Sequence, residues 1–224
     1  MTDPDATTTP GPARRTRRAG RDKGEVLAAA VRVIAERGAD AARFTDVAQA
    51  SGVPVSTLQY YFGSREDMLA AAFRHASEVE LAALRPELAA LADPWTRLAR
   101  VVDAALADFR AAEGLTGHLW VEAWRFGMRD AEMRADVLTD YAAWRGLIAD
   151  AVREGVAAGR FRTAIEPERV AVLLLALLDG LGMPLAIGDP AVTFEEARSG
   201  ALAALGAVLG LSQEVLTSGV DRGK

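Results

Sequence analysis

Thr45, Ser56, Thr57, Gln59, Tyr60, Tyr61 and Arg65 fall within one short stretch of the chain. Ser56, Thr57, Gln59 and Tyr60 make a polar face on a short helix, a face chemically suited to the edges of DNA bases. Glutamine can pair bidentately with adenine, and a hydroxyl can approach acceptor edges or a thymine methyl. Thr45 sits at a helix start, where a hydroxyl and free N–H groups can meet a phosphate, and Tyr61 and Arg65 lie at the far end in position for phosphates. The competing reading makes Tyr60, Tyr61 and Phe62 core aromatics of a small bundle; Phe62 is expected to be one.

A second constellation lies further along. Trp120, Trp124 and Met128 recur at helical spacing, as do Tyr141, Trp144 and Ile148, while His118, Glu122, Arg125 and Asp179 are polar groups able to orient a guest. A small, largely apolar and flat effector is the expectation; the alternative is that the aromatic stripe is closed core. Other chemistry is poorly provided for. The 224 residues include no cysteine and two histidines, which excludes disulfides, thiolate nucleophiles and Cys-ligated metal or multi-histidine centres, leaving only a carboxylate-rich ion site open. With no glycine-rich phosphate loop and no Gly-x-Ser-x-Gly, an enzyme is not expected, nor a cofactor.

The elements that must position these residues are helical. Alanine is abundant, prolines fall almost entirely between periodic segments, and β-branched clusters are few, so the fold is expected to be all-α with about nine helices. Residues 1–20, with their prolines and Arg14, Arg15, Arg17 and Arg18, read as a flexible basic arm. The first helix is expected over about 21–37, ending at Gly38, followed by two very short helices over about 45–51 and 54–62 separated by Gly52-Val53. Two such helices joined by a tight turn have the form of a helix-turn-helix. A longer helix opens at Ser64 and runs to about Leu84, with Pro86 as a kink or stop; further helices are expected over about 94–111, 115–126, 130–158, 167–185 and 194–209. This divides the chain into an arm (1–20), a DNA-binding head (21–66), a ligand-binding and dimerisation bundle (67–212) and a flexible tail (213–224).

The run Phe44-Thr-Asp-Val-Ala-Gln-Ala-Ser-Gly-Val-Pro-Val-Ser-Thr-Leu-Gln-Tyr-Tyr-Phe-Gly-Ser-Arg-Glu-Asp-Met-Leu69 resembles the DNA-binding signature of the TetR/AcrR family of transcriptional regulators. It departs at Gln59, where the family usually has tyrosine, and at Pro54, where a serine cap is common. The resemblance implies a homodimer whose two three-helix heads enter successive major grooves of a partly palindromic operator. It places base contacts on Val55, Ser56, Gln59 and Tyr60 and phosphate contacts on Thr45, Thr57, Tyr61 and Arg65. Arg17 and Arg18 of the arm would reach backbone or minor groove. Release from the operator by a small effector, hence repression, is the family's default. More loosely, Tyr141-x-x-Trp144-Arg-x-x-Ile148, Glu154-Gly155, Gly159-x-Phe161 and Asp179-Gly180-Leu181 resemble the branch that includes the betaine-responsive repressor.

For the dimer, Val172, Leu175, Ala176 and Met183 of the penultimate helix and Ala201, Leu205 and Val208 of the last are the expected interface of an isologous two-fold. The apolar run over 170–187 approaches membrane-spanning length but is interrupted by Asp179, Gly180, Gly182 and Pro184, so a core helix is expected and no membrane. With no secretory signal at the N-terminus, the expected compartment is the cytoplasm. The formal charge of −5 is unevenly placed: residues 14–66 hold ten Lys/Arg against six Asp/Glu, and residues 67–224 hold 16 against 23. The acidity belongs to the regulatory half and does not oppose DNA binding by the head.

Overall fold

The computed structural model describes the backbone of residues 12–107, 109–110 and 115–212, and the side chains of that set apart from 12–22, 115, 116 and 118. Among the described residues there are nine helices and no strand: α1 (Pro12–Arg37), α2 (Phe44–Ser51), α3 (Val55–Phe62), α4 (Arg65–Ala90), α5 (Pro94–Ala107), α6 (Leu115–Gly127), α7 (Ala131–Ala157), α8 (Pro167–Ile187) and α9 (Phe194–Val208). The expected tail, 213–224, and the first part of the expected arm, residues 1–11, lie outside the described residues.

Local chemistry sets most of these boundaries. Gly52 ends α2 in the left-handed region (φ +71°) and donates to the Ala48 carbonyl at 2.9 Å, a conformation that strains any residue with a Cβ. Ser64 opens α4 by accepting the Asp67 N–H at 3.0 Å, while the Asp67 carboxylate accepts the Ser64 N–H at 3.2 Å, so two free donors are satisfied reciprocally. Thr193 and Glu196 do the same at the start of α9.

Three expectations need correction. Helix α1 begins at Pro12 rather than near Arg21, so Arg17 and Arg18 belong to a helix and not to an extended arm. Proline is favoured in a first turn and the following Ala and Arg are good helix formers, which together outweigh Gly20 and Gly24. Helix α4 continues through Pro86 to Ala90. The carbonyl freed by the missing N–H is that of exposed Ala82, which water can satisfy, while Leu81, Leu84 and Leu88 keep the helix docked on the core. Helix α5 stops at Ala107, short of Ala111.

The head is α1 to α3 closed over the start of α4. Val26, Ala30, Ile34, Val47, Leu58, Phe62 and Met68 form its interior. The remaining helices make a bundle in which α7 lies along α8, α5 bridges α7 and α9, and α6 packs on α7 while also touching α1. Head and bundle are joined twice: by α4, which belongs to both, and by the contact of α6 with the end of α1. Helix α8 is long and apolar enough to cross a membrane by length and composition. Here it is a core helix: Val170, Leu174, Leu178 and Leu185 are buried against its neighbours, and Gly182 lies so close to Phe109 that a Cβ would come within 2.6 Å of the ring.

The dimer expectation is corrected in part. Leu175, Ala201 and Leu205 are buried within the subunit, 6%, 0% and 4% exposed. The helical period that puts Val172, Ala176 and Met183 outward turns Leu175 toward α7. The outward apolar face is carried instead by Val172, Leu173, Ala176 and Met183 on α8, with Ala203, Ala204, Ala207 and Val208 on α9.

Candidate functional site

Helix α3 is held by two buried side chains, Leu58 and Phe62, and every other outward position is available for contact. Ser56, Gln59 and Tyr60 are exposed, and Val55, Thr57 and Tyr61 are half-buried at its flanks. Tyr60 is 86% exposed, which removes it from any core; Tyr61 packs partly against the core, edge-on to Phe62 with ring centroids 6.3 Å apart. Thr45 is exposed in the first turn of α2. The turn between the helices is rigidified by Ser51, whose hydroxyl donates to Val47 O at 2.7 Å and accepts from Val53 N–H at 3.3 Å.

Arg65 is placed differently from the expectation. Its Nε donates to Ala42 O at 2.7 Å, another guanidinium nitrogen donates to Ala39 O, and Nη1 lies 3.3 Å from Glu66. The guanidinium therefore ties the turn between α1 and α2 to the start of α4. Its charge is committed to two backbone carbonyls of the connection between α1 and α2. Arg17 and Arg18 lie on the N-terminal part of α1, with side chains outside the described set.

The aromatic constellation converges on one cavity of about 40 Å³ between α4 to α8. Trp120 and Trp124, one turn apart on α6, have centroids 6.0 Å apart; Trp120 is 5.9 Å from Tyr141, and Trp124 stacks on Phe109 at 6.4 Å. Trp144 completes the aromatic lining. Carboxylates fill the polar positions: Asp179 on α8, Asp140 on α7 and Glu80 on α4. The Tyr141 hydroxyl donates to Asp179 Oδ2 at 2.6 Å, and the Ser77 hydroxyl of α4 donates to Asp140 Oδ1. Asp140 is 3% exposed and its Oδ2 is buried with no hydrogen-bond partner.

Desolvation dominates the electrostatics of this cavity. Burial raises the Asp140 carboxyl above the ordinary aspartate range, only partly offset by the Ser77 hydroxyl and the neighbouring Trp144. Burial raises Asp179 likewise, offset by the Tyr141 hydroxyl, and the Tyr141 phenol is itself raised by burial and then by Asp179. Two carboxyls that are costly to ionise, facing a box of π-faces, form a site that a cation would relieve. Aromatic faces attract cations through their quadrupole, by about 0.5–2 kcal/mol each, and a buried carboxylate with one unsatisfied oxygen is a strong complement to a desolvated cation.

Of the residues expected here, Trp120, Trp124, Tyr141, Trp144 and Asp179 line the cavity. Met128 does not: it is 73% exposed beyond the end of α6. Glu122 faces away from the cavity and accepts the Ala39 N–H at 3.0 Å. His118 lies on α6, its side chain outside the described set. Glu80, Asp140 and Phe109 were missed. A readable signal existed for Asp140: on α7 it stands in the core series Met133, Val137, Asp140, Trp144, Ile148, Ala151, Gly155, a carboxylate at an apolar position.

Comparison with known proteins adds two family matches. The pattern described as "Bacterial regulatory proteins, tetR family" matches residues 26–72, and "BetI-type transcriptional repressor, C-terminal" matches 94–210. The HTH-type transcriptional regulator BetI of Burkholderia ambifaria is 28% identical over 113 residues, 50% of this chain and 58% of that protein; the matched stretch thus spans little more than half the length of this relative. The BetI of Paraburkholderia phytofirmans is 29% identical over 170 residues, 75% of this chain and 84% of that protein. Among solved structures, one from Saccharomonospora viridis, described as a transcriptional regulator in complex with choline, has a TM-score of 0.76 at 27% identity and covers 84% of this chain and 96% of its own. A structure from Rhodococcus sp., described as a TetR-family regulator, has a TM-score of 0.70 at 25% identity, covering 85% and 99%.

Proposed function

Since the chain belongs to the TetR family of bacterial regulators, with a BetI-type C-terminal half, we propose that it is a cytoplasmic homodimeric repressor released from its operator by a compact organic cation of the quaternary-ammonium class. The observation that carries the effector class is the cavity: aromatic rings from α6, from α7 and from Phe109 just beyond α5 enclose a space whose polar groups are carboxylates, one with a buried oxygen lacking any partner. Choline bound to the Saccharomonospora viridis regulator supports the same class. This replaces the flat, largely apolar effector expected from the aromatics alone. A neutral apolar guest would leave the buried carboxylates uncompensated.

In this reading Ser56, Gln59 and Tyr60 meet base edges with Val55, and Thr45, Thr57 and Tyr61 meet phosphates. The outward faces of α8 and α9 pair two copies, setting the heads at the spacing of successive major grooves, about 34–36 Å. Effector binding must favour a different spacing, because only differential affinity shifts such an equilibrium. One route starts at Asp140, whose carboxylate is held by Ser77 on α4, the helix that runs on into the head. A second starts at Trp120, packed edge-on against Phe73 of α4 at 5.0 Å.

The test is a tryptophan-fluorescence titration with tetramethylammonium and choline against 3,3-dimethylbutanol, the uncharged isostere of choline, run beside a gel shift on the protein's own upstream DNA. The cations should perturb fluorescence and dissociate the complex, with the isostere at least about tenfold weaker. Equal binding of cation and isostere would remove the cation reading.

A further inference from the structure

Helix α6 carries the cavity on one side and a different set of charges on the other. Trp120 and Trp124 face the cavity, whereas Glu122 and Arg125 face the turn between α1 and α2. Glu122 Oε2 accepts the Ala39 N–H at 3.0 Å and the Arg125 Nη2 at 3.0 Å, and Arg125 Nη1 meets Asp40 Oδ2 at 2.9 Å. Ala39 is 4% exposed, so its amide has little access to water in place of that carboxylate. The Arg125 guanidinium, first through its hydrogen bond, holds the Asp40 carboxyl below the ordinary aspartate range.

The same turn is gripped from the other side by Arg65, which donates to the carbonyls of Ala39 and Ala42. The segment 39–42 thus leads directly into α2 while held between α4 and α6. No sequence signal marked this arrangement, and it is separate from the α4 connection invoked above. We propose that Glu122 and Arg125 are positioning residues, a clasp through which a displacement of α6 is transmitted to the DNA-binding head.

Magnitudes favour this. The cavity, about 40 Å³, has room for about three waters, less than a quaternary ammonium needs, so filling it displaces a wall. Helix α6 supplies two of the aromatic rings. Because hydrogen bonds lose their value beyond roughly 3.5 Å, a shift of α6 by about 1 Å either breaks the clasp or drags Ala39 and Asp40 with it. In either case the segment leading into α2 is held differently from before.

The clasp rests on the cation reading for its trigger, and the experiment separates the two. Full-length wild type and the Glu122→Ala/Arg125→Ala variant are titrated with tetramethylammonium by tryptophan fluorescence, and with labelled upstream DNA by anisotropy, with and without saturating cation. Circular dichroism confirms folding, and Glu122→Gln serves as a milder second variant. In wild type the cation should lower DNA affinity by about tenfold or more. In the double variant it should still bind within about twofold of wild type, yet lower DNA affinity by a factor at least about threefold smaller than in wild type, the α4 routes supplying the remainder. Release by the same factor in wild type and variant overturns the proposal.

Should the cation bind neither protein, the cation reading fails and the clasp is judged without effector. Asp40→Ala and Arg125→Ala should then depart from additivity in DNA affinity by about threefold or more, as residues acting as one unit do. Additive effects overturn it.

Discussion

Replacing Asp140 by asparagine removes one charge from the cavity while keeping its shape, and two opposite effects are expected. The asparagine carbonyl can still accept the Ser77 hydroxyl that now bonds Oδ1. A quaternary ammonium about 5 Å from the carboxylate is attracted by roughly 3 kcal/mol at an effective dielectric of about 20. Because burial raises the Asp140 carboxyl above the ordinary aspartate range, part of that gain goes into ionising it. A net loss of about 1.5–2 kcal/mol, or roughly 10 to 30-fold in affinity, is expected.

Stability should move the other way. With its pKa raised in the fold, Asp140 contributes stability that is fully present below the unfolded pKa and is lost as pH rises through the folded one. At neutral pH the asparagine variant escapes that cost and should melt about 2–4 °C higher, for a gain on the order of 1 kcal/mol. The assays are isothermal titration with tetramethylammonium and thermal denaturation at pH 7. Wild-type affinity should also fall on acidification, beginning above the ordinary aspartate range, and a permanently charged ligand makes that titration the protein's own. Unchanged or tighter cation binding in the variant, or a lower melting temperature at pH 7, would refute the reasoning.

Other substitutions probe the remaining parts. Gly182→Ala puts a Cβ within 2.6 Å of Phe109, driving that ring toward the cavity; cation affinity should fall by about tenfold or more with a stability loss of about 1–3 kcal/mol, read by titration and denaturant melts. Arg65→Ala should cost about 2–3 kcal/mol of stability by stripping Ala39 and Ala42 of charged donors; a variant with unchanged stability and only weaker DNA binding would return Arg65 to the phosphate role. Tyr61→Ala should weaken binding evenly across operator sequences while Gln59→Ala relaxes preference at one position by about 1–3 kcal/mol, as competition against single-base operator variants will report. Val172→Asp with Met183→Asp, placing charge on the outward face of α8, should yield monomers by light scattering at micromolar concentration without loss of helicity.

The helical segments were legible because their punctuation is local. Gly52, Ser64, Pro94, Pro167, Gly188 and Thr193 act on the backbone within a turn of themselves, so a single sequence carries their effect. Pro86 misled because its consequence depends on whether the freed carbonyl faces water, which is a matter of packing. The outward positions of α3 followed from the short helix and its two anchors, Leu58 and Phe62. The cavity was half legible. Periodicity groups Trp120 with Trp124 and Tyr141 with Trp144, but it cannot tell that Glu122, two residues from Trp120, points to the opposite side of α6. Nor can it tell that Asp140 belongs inside unless the core series of α7 is already known. The tie from Arg65 to the α1–α2 connection was hidden for a related reason: its two acceptors are 26 and 23 residues away in sequence.

The division of charge acquires a second meaning from the cavity. Residues 67–224 carry seven more acidic than basic groups, and residues 14–66 four more basic than acidic. In the proposed reading the acidic excess keeps DNA from the body while the basic excess of the head favours phosphates, and the body's charge favours cations over anions. Among the described residues, nine of its carboxylates pair with arginines, Asp136 with Arg74 and Asp103 with Arg198 among them. Asp140, buried, and Asp179, half-buried, are bonded instead to hydroxyls, which donate hydrogen bonds and leave the negative charge unneutralised. A hydroxyl can orient a carboxylate while keeping its charge available to a guest, whereas an arginine in the same place would have satisfied the site and closed it. The pairing of the two cavity acids with Ser77 and Tyr141, rather than with any of the chain's 24 arginines, is therefore a feature on which the proposed cation reading turns.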